Sequence, residues 1–488
     1  MLVEIPTRPA STDELEALIR EARERQSRRR RRIAALLLTV VAAGTAAYGI
    51  ARSVGGGAAS IKHVLNGPVV NVGAFSHHGQ LAFISGTTLW LLDGTTGKLH
   101  RLPKPGGGFS PAQPVFSPDG KWLAYLENFE SNNEQYARLW IAHADGSDAH
   151  VVSGLKVYGL FGWSPTADTL AVAAGPERTK QPCPCYSPTT LRVVSPGGSY
   201  RTVARTSWLY GAAWSPDGSK LAVAADSYPH ATLAVYPASG GPGTTWLRMN
   251  NRQRLNGMNG LLFQIAGWWP HVGIGFWVFG DGMVHNNDET PLDLMARPGM
   301  KPRLLAQTLS DGTTDVVSPS RLGVLAVVAD ISNGRNGGRV YWDKKQVQLC
   351  GASAACRPIV DQPSKVTVEP VWSPNGHTLA LIEAPDYVDP GWSQQVMQRW
   401  YADHQLLLYD APTRTIRTIA AAKGATVPVW SPDGHSLLYV SGDALWLLPS
   451  LSSKPVEIAA PLFTQRPWPA YYGQIAWASQ FAWASNRP

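Results

Sequence analysis

The chain is poor in the residues that carry chemistry. Only 16% of its 488 residues are charged, and only four are cysteine. No C-x-x-C pair occurs, so the usual spacing of a structural zinc site is missing. There is no G-x-S-x-G elbow and no H-E-x-x-H pair, which removes the common signatures of serine and zinc hydrolases. The histidines that stand in turns or loops, His77, His78, His230, His271 and His285, are scattered. The acidic segment 279–290 lacks the D-x-[DN]-x-[DN]-G order of a calcium loop and reads as a plain loop. These gaps predict a chain without metal or cofactor, and not an enzyme. No long helical pattern follows residue 60, and one apolar run alone, Ile33 to Ala51, has membrane-spanning length.

What is present is repetition. A short apolar segment, a Ser-Pro-Asp-Gly turn and a second apolar segment recur along the chain. The turns are Ser76-His77-His78-Gly79, Ser117 to Gly120, Ser164 to Asp168, Ser215 to Gly218, Ser373 to Gly376 and Ser431 to Gly434. Degenerate copies stand at Gly267 to Pro270 and Val317 to Ser320. Serine, proline and glycine suit the first, second and fourth places of a type I turn, so the unit predicts strand, tight turn, strand. Asp217 then reads as a turn residue rather than a catalytic one. A second strand pair follows most turns, as in 87–102, 137–152 and 405–420. Successive turns lie 41 to 58 residues apart, the length of a four-stranded propeller blade with its loops. Among the 19 tryptophans, Trp163, Trp214, Trp372 and Trp430 precede the turn, and Trp90, Trp140 and Trp446 share a later strand. Such repeat-locked positions predict packing between blades.

The W-S-P-D-G turn, the L-A-F/V strand after it and the later L-W-V strand resemble the TolB-type β-propeller repeat, a relative of the tryptophan–aspartate propellers. The resemblance covers about residues 67–488 and implies an all-β propeller of four-stranded antiparallel sheets. Eight blades are expected, with seven as the alternative. The segment 474–486 looks like the start of a ninth repeat and is expected to complete the first blade and close the ring. The resemblance also implies a scaffold or envelope-assembly role. Some serine peptidases carry a similar propeller before an α/β-hydrolase domain. The propeller pattern runs to residue 488, so no such domain is expected.

The N-terminus is a different object. Residues 1–32 form a basic tail with an amphipathic helix, in which Ser11 and Glu14 make a capping box and Leu15, Leu18 and Ile19 follow at helical spacing. The tail ends in Arg28 to Arg32 and holds nine arginines against six acids. Residues 33–51 are uncharged and, at about 1.5 Å per residue, span roughly 28 Å, close to a hydrocarbon core. An uncleaved single-pass helix is expected, with a cleaved signal peptide as the alternative. The arginine block places the tail in the cytoplasm and the rest outside. It reads as a topology signal rather than a nucleic-acid contact. Residues 52–66 form a glycine-rich linker, and 67–488 the propeller.

Cys350 and Cys356 flank a candidate hairpin turn and predict a disulfide, as suits an exported domain. Cys183 and Cys185 either form a second, tighter pair or stand as free thiols. The insertions 127–138, 174–188, 383–404 and 461–474 interrupt the blade pattern, and the last two are rich in Trp, Tyr, Arg, Gln and Pro. Trp392, Trp400, Trp468 and Tyr471 are therefore the candidate partner-binding residues, since loops on a rigid scaffold carry function. These features predict a membrane-anchored extracytoplasmic propeller that binds a protein or cell-envelope ligand. The alternatives are a transmembrane sensor whose tail meets a cytoplasmic regulator, and a glycan-active enzyme built on the propeller.

Overall fold

A computed structural model describes residues 61–63 and 67–485, apart from 103–109, 132–133, 176–188, 228, 251, 259–260, 281–289, 309–315, 318–322, 332–343, 352–354, 387–393 and 463–479. The tail 1–32, the apolar run 33–51 and the linker as far as residue 60 lie outside the described residues. Among the described residues no helix is long and apolar enough to cross a membrane. Residues Ala59–Pro488 form one compact unit.

The described strands of this unit form eight antiparallel four-stranded groups, taken here as blades 1 to 8 in chain order, with two further strands, Ile61–His63 and Val69–Asn71, added to the outer edge of blade 8. Blade 4 shows the pattern: Trp208–Trp214, Lys220–Ser227, His230–Pro237 and Thr244–Asn250 pair side by side. Single bridges, Val157 to Ala137 and Thr308 to Ala329, join blade 2 to blade 3 and blade 5 to blade 6.

The Ser-Pro-Asp-Gly turns form as their chemistry requires. In blade 4 the Gly218 N–H donates to the Ser215 carbonyl at 2.8 Å, and Gly218 has a φ of +70°. Ser215 Oγ donates to Asp217 Oδ1 at 2.6 Å and accepts from the Lys220 N–H at 2.9 Å. Bonds from Ser215 and Ser219 hold the Asp217 carboxyl down at about 2. The carboxylate is turned into its own turn.

Tryptophans tie blades 3, 4 and 8 to the blade before each. Trp163 Nε1 donates to the Val115 carbonyl at 3.2 Å, Trp214 Nε1 to Gly162 at 2.9 Å and Trp430 Nε1 to Val371 at 3.0 Å. In each case the acceptor comes just before the matching position of the preceding blade. A buried apolar cluster fills every seam: Leu91 with Leu123 between blades 1 and 2, Ala171 with Leu221 between 3 and 4, and Leu381 with Leu437 between 7 and 8.

The ring closes by a strand from the far end of the chain. In blade 1, Gln80–Ser85, Thr88–Asp93 and Lys98–Arg101 follow one another, but the innermost place is held by Phe481–Ala484. Its register pairs Gln80 with Ala484 and Phe83 with Phe481. A Cβ on Gly79 would stand 2.0 Å from the Ala484 carbonyl oxygen, so only glycine lets the strand approach. Val69–Asn71, which precedes the first turn, lies instead on the outer edge of blade 8, with Val70 opposite Ala459. Phe83, Phe481, Leu438 and Val440 meet in the seam between blades 8 and 1.

Candidate functional site

The up-and-down course of the strands sorts the connections. The tight Ser-Pro-Asp-Gly turns and the turns between third and fourth strands share one face of the ring. The connections between second and third strands, and those between blades, share the other. The described strand ends from which the four insertions leave, near residues 131, 175, 386 and 462, lie at this second, loop face. In blade 2 the insertion extends two strands into a long hairpin, Trp122–Ser131 and Glu134–His143. In blade 7 it carries the helix α1, Gln394–Ala402. An ion pair between Lys344 and Asp386 ties the start of the third strand of blade 6 to the end of the second strand of blade 7.

The sequence-predicted residues divide as follows. Cys350 and Cys356 are joined at a Cα separation of 4.1 Å, across a turn between third and fourth strands of blade 6 on the opposite face. Cys183, Cys185, Trp392, Trp468 and Tyr471 lie outside the described residues. Trp400 is not a surface contact: it is 0% exposed, packs in the core of blades 7 and 8, and donates from Nε1 to the Pro385 carbonyl at 3.1 Å. Its place on the buried side of α1 is the reason. Val396 and Trp400, four apart, mark that helix in the sequence, but the segment reads as a loop when only its composition is weighed.

Other residues of this face carry more unusual chemistry. Glu369, in the first strand of blade 7, accepts from Thr426 Oγ1 at 2.8 Å and from the Val427 N–H at 2.6 Å, and burial pushes its carboxyl up to about 6. Burial raises the nearby Tyr401 hydroxyl, with the Glu369 charge adding to it. His404 is buried and held down at about 4 by that burial. In blade 5, Asp293 is 0% exposed and pushed up to about 6 by burial, although Asn256 donates to it. Single glutamates and histidines inside apolar strands give no motif, so their neighbours across a seam were not legible from the chain. Among the described residues no group of three or more His, Cys, Asp or Glu is placed to hold a metal.

No family model and no curated protein matches the chain. Solved structures do resemble it. One is a prolyl endopeptidase, 13% identical with a TM-score of 0.45, covering 75% of this chain and 54% of its own. Another is an oligogalacturonate lyase in complex with manganese, 12% identical with a TM-score of 0.39, covering 78% and 85%. A third is the β-propeller domain of the Trilobed protease from Pyrococcus furiosus, 10% identical with a TM-score of 0.42, covering 74% and 100%. The chain spans about half the length of the endopeptidase. The fold they share with this chain is the β-propeller. They also correct the expectation of a protein that is not an enzyme, because the endopeptidase and the lyase are enzymes. At this identity they assign no chemistry to this chain.

Proposed function

We propose that this is a TolB-type propeller of eight blades, anchored by residues 33–51, that binds a protein or cell-envelope ligand outside the cytoplasm through its loop face. The observation that supports it is the segregation of loops. The strand ends from which the insertions leave gather on one face, and the other carries tight turns. A rigid ring with variable loops on one side is the usual layout of a recognition surface. The arginine block before the apolar run supports the orientation, because positive charge stays on the cytoplasmic side.

Crosslinking the intact protein in its native membrane, beside a variant lacking residues 2–27, tests this reading. Envelope proteins captured equally by both support it. A cytoplasmic regulator captured by the full chain alone replaces it with a sensor whose tail has its own partner. Charge-reversing substitutions at Arg399, exposed in the last turn of α1, and at Asp403, exposed just after it, should reduce capture by at least tenfold. Unchanged capture by variants altered across the whole loop face would remove the proposal.

A further inference from the structure

The first strand of blade 8, Ala425–Trp430, starts with three residues held by side chains of blade 7. The Ala425 carbonyl accepts from His404 Nδ1 at 2.9 Å. The Thr426 hydroxyl and Val427 N–H both donate to Glu369. Val427 has a φ of +49° and Glu369 a φ of +53°, a left-handed region that a β-branched residue resists. The segment therefore needs these ties to keep its shape.

His404 is the unusual member. It stands two residues after the end of α1, is 1% exposed, and lies edge-on to Trp400 with ring centroids 4.2 Å apart. Tyr401 lies on its other side at 5.0 Å. Its carbonyl accepts from the Gly424 N–H at 3.0 Å, so one residue joins the end of the helix to the turn that opens blade 8. The bond to Ala425 assigns the proton to Nδ1 and leaves Nε2 as the lone-pair nitrogen. Nε2 is buried and has no hydrogen-bond partner among the described residues. A neutral imidazole tolerates that setting. A charged one would aim an N–H at atoms that cannot accept it.

We propose that His404 is a protonation switch: a proton taken up on Nε2 frees helix α1 and the start of the inner strand of blade 8, loosening the loop face between blades 7 and 8. The groups around it bear this out. Asp403, beside it in the chain, is exposed and only partly offsets the burial. Tyr401 of the helix stays neutral. Glu369 of the blade 7 strand works the other way. Its carboxyl takes a proton more readily when buried, so mild acid stabilises it in its place, although the neutral form accepts more weakly from Thr426 and Val427. His404 departs further from its ordinary value, about 4 against 6.5, than Glu369 does, about 6 against 4.5, so release prevails as the pH falls.

Amide hydrogen exchange of the intact chain between pH 4.5 and 8, corrected for the intrinsic effect of pH, reads this directly. Protection of 394–404 and 425–430 should fall below about pH 6.5, several-fold in the unaltered protein because Glu369 opposes His404, and approaching tenfold per pH unit for one proton in Glu369→Gln. The other blades should keep theirs. His404→Asn keeps an N–H for Ala425 but cannot charge, and should abolish the fall and leave only the opposite effect of Glu369. A flat profile in Glu369→Gln, a loss shared by every blade, or a fall that survives in His404→Asn would overturn the proposal. Histidine C2 exchange on the unaltered protein covers the case of a variant that does not fold. An ordinary titration of His404 near 6.5 would overturn it equally.

Discussion

At the scale of single residues, the tryptophan ladder separates two roles that look alike in sequence. Trp214 and Trp372 hold the same place in their repeats and are both buried, but Trp214 Nε1 reaches the Gly162 carbonyl whereas Trp372 Nε1 has no partner among the described residues. Replacing either with Phe removes similar apolar contact. Only Trp214→Phe also loses a hydrogen bond and leaves a carbonyl behind, so it should cost about 1 kcal/mol more in urea unfolding. Asp293 sets a pH dependence. Its folded carboxyl lies near 6 and its unfolded one near 3.8, so the folded state binds the proton more tightly. Its contribution is therefore full below about pH 4 and lost as the pH rises through 6, a change of about 3 kcal/mol. Asp293→Asn should flatten the urea midpoint between pH 4 and 8. An unchanged slope would show that another group carries it.

At the scale of elements, the closing strand bears most on stability. It fills the inner place of blade 1 against a glycine, and Trp483 Nε1 donates to the His78 carbonyl on the far side of the turn. Gly79→Ala meets both a backbone oxygen and a φ of +90°, and should destabilise by about 2–4 kcal/mol in thermal or urea unfolding. A stability unchanged by this substitution would mean that the strand docks elsewhere. The turns and strand pairs were legible because their rules are local: serine, proline and glycine at fixed offsets report a turn in any context. The helix α1 was missed because its apolar residues answer to a seam rather than to the blade repeat. The expectation that 474–486 completes the first blade holds where it is described, at Phe481–Ala484, because the repeat begun at its end lacks its own continuation. The pairing of Val69–Asn71 on the outer edge of blade 8 was not legible, because an edge contact between chain ends follows no repeat.

At the scale of the molecule, a cluster in every seam makes the ring one cooperative body, because each blade completes the core of two others. Cys350 and Cys356 close a loop of seven residues inside a single blade, so reduction should cost about 2 kcal/mol at most and leave one unfolding transition. A separate low-temperature transition on reduction would show that blade 6 melts alone. The closing strand has a further consequence in time. Synthesis runs from the N-terminus, so blade 1 is made first and completed last. Until residues 481–484 emerge, the strand Gln80–Ser85 offers an unpaired edge to every other chain in the vicinity. The growing protein spends nearly its whole synthesis as an open arc with one hungry side. A chaperone that served this protein would have its work there, at residues 80–85, and would be dismissed by the arrival of the strand that carries Trp483.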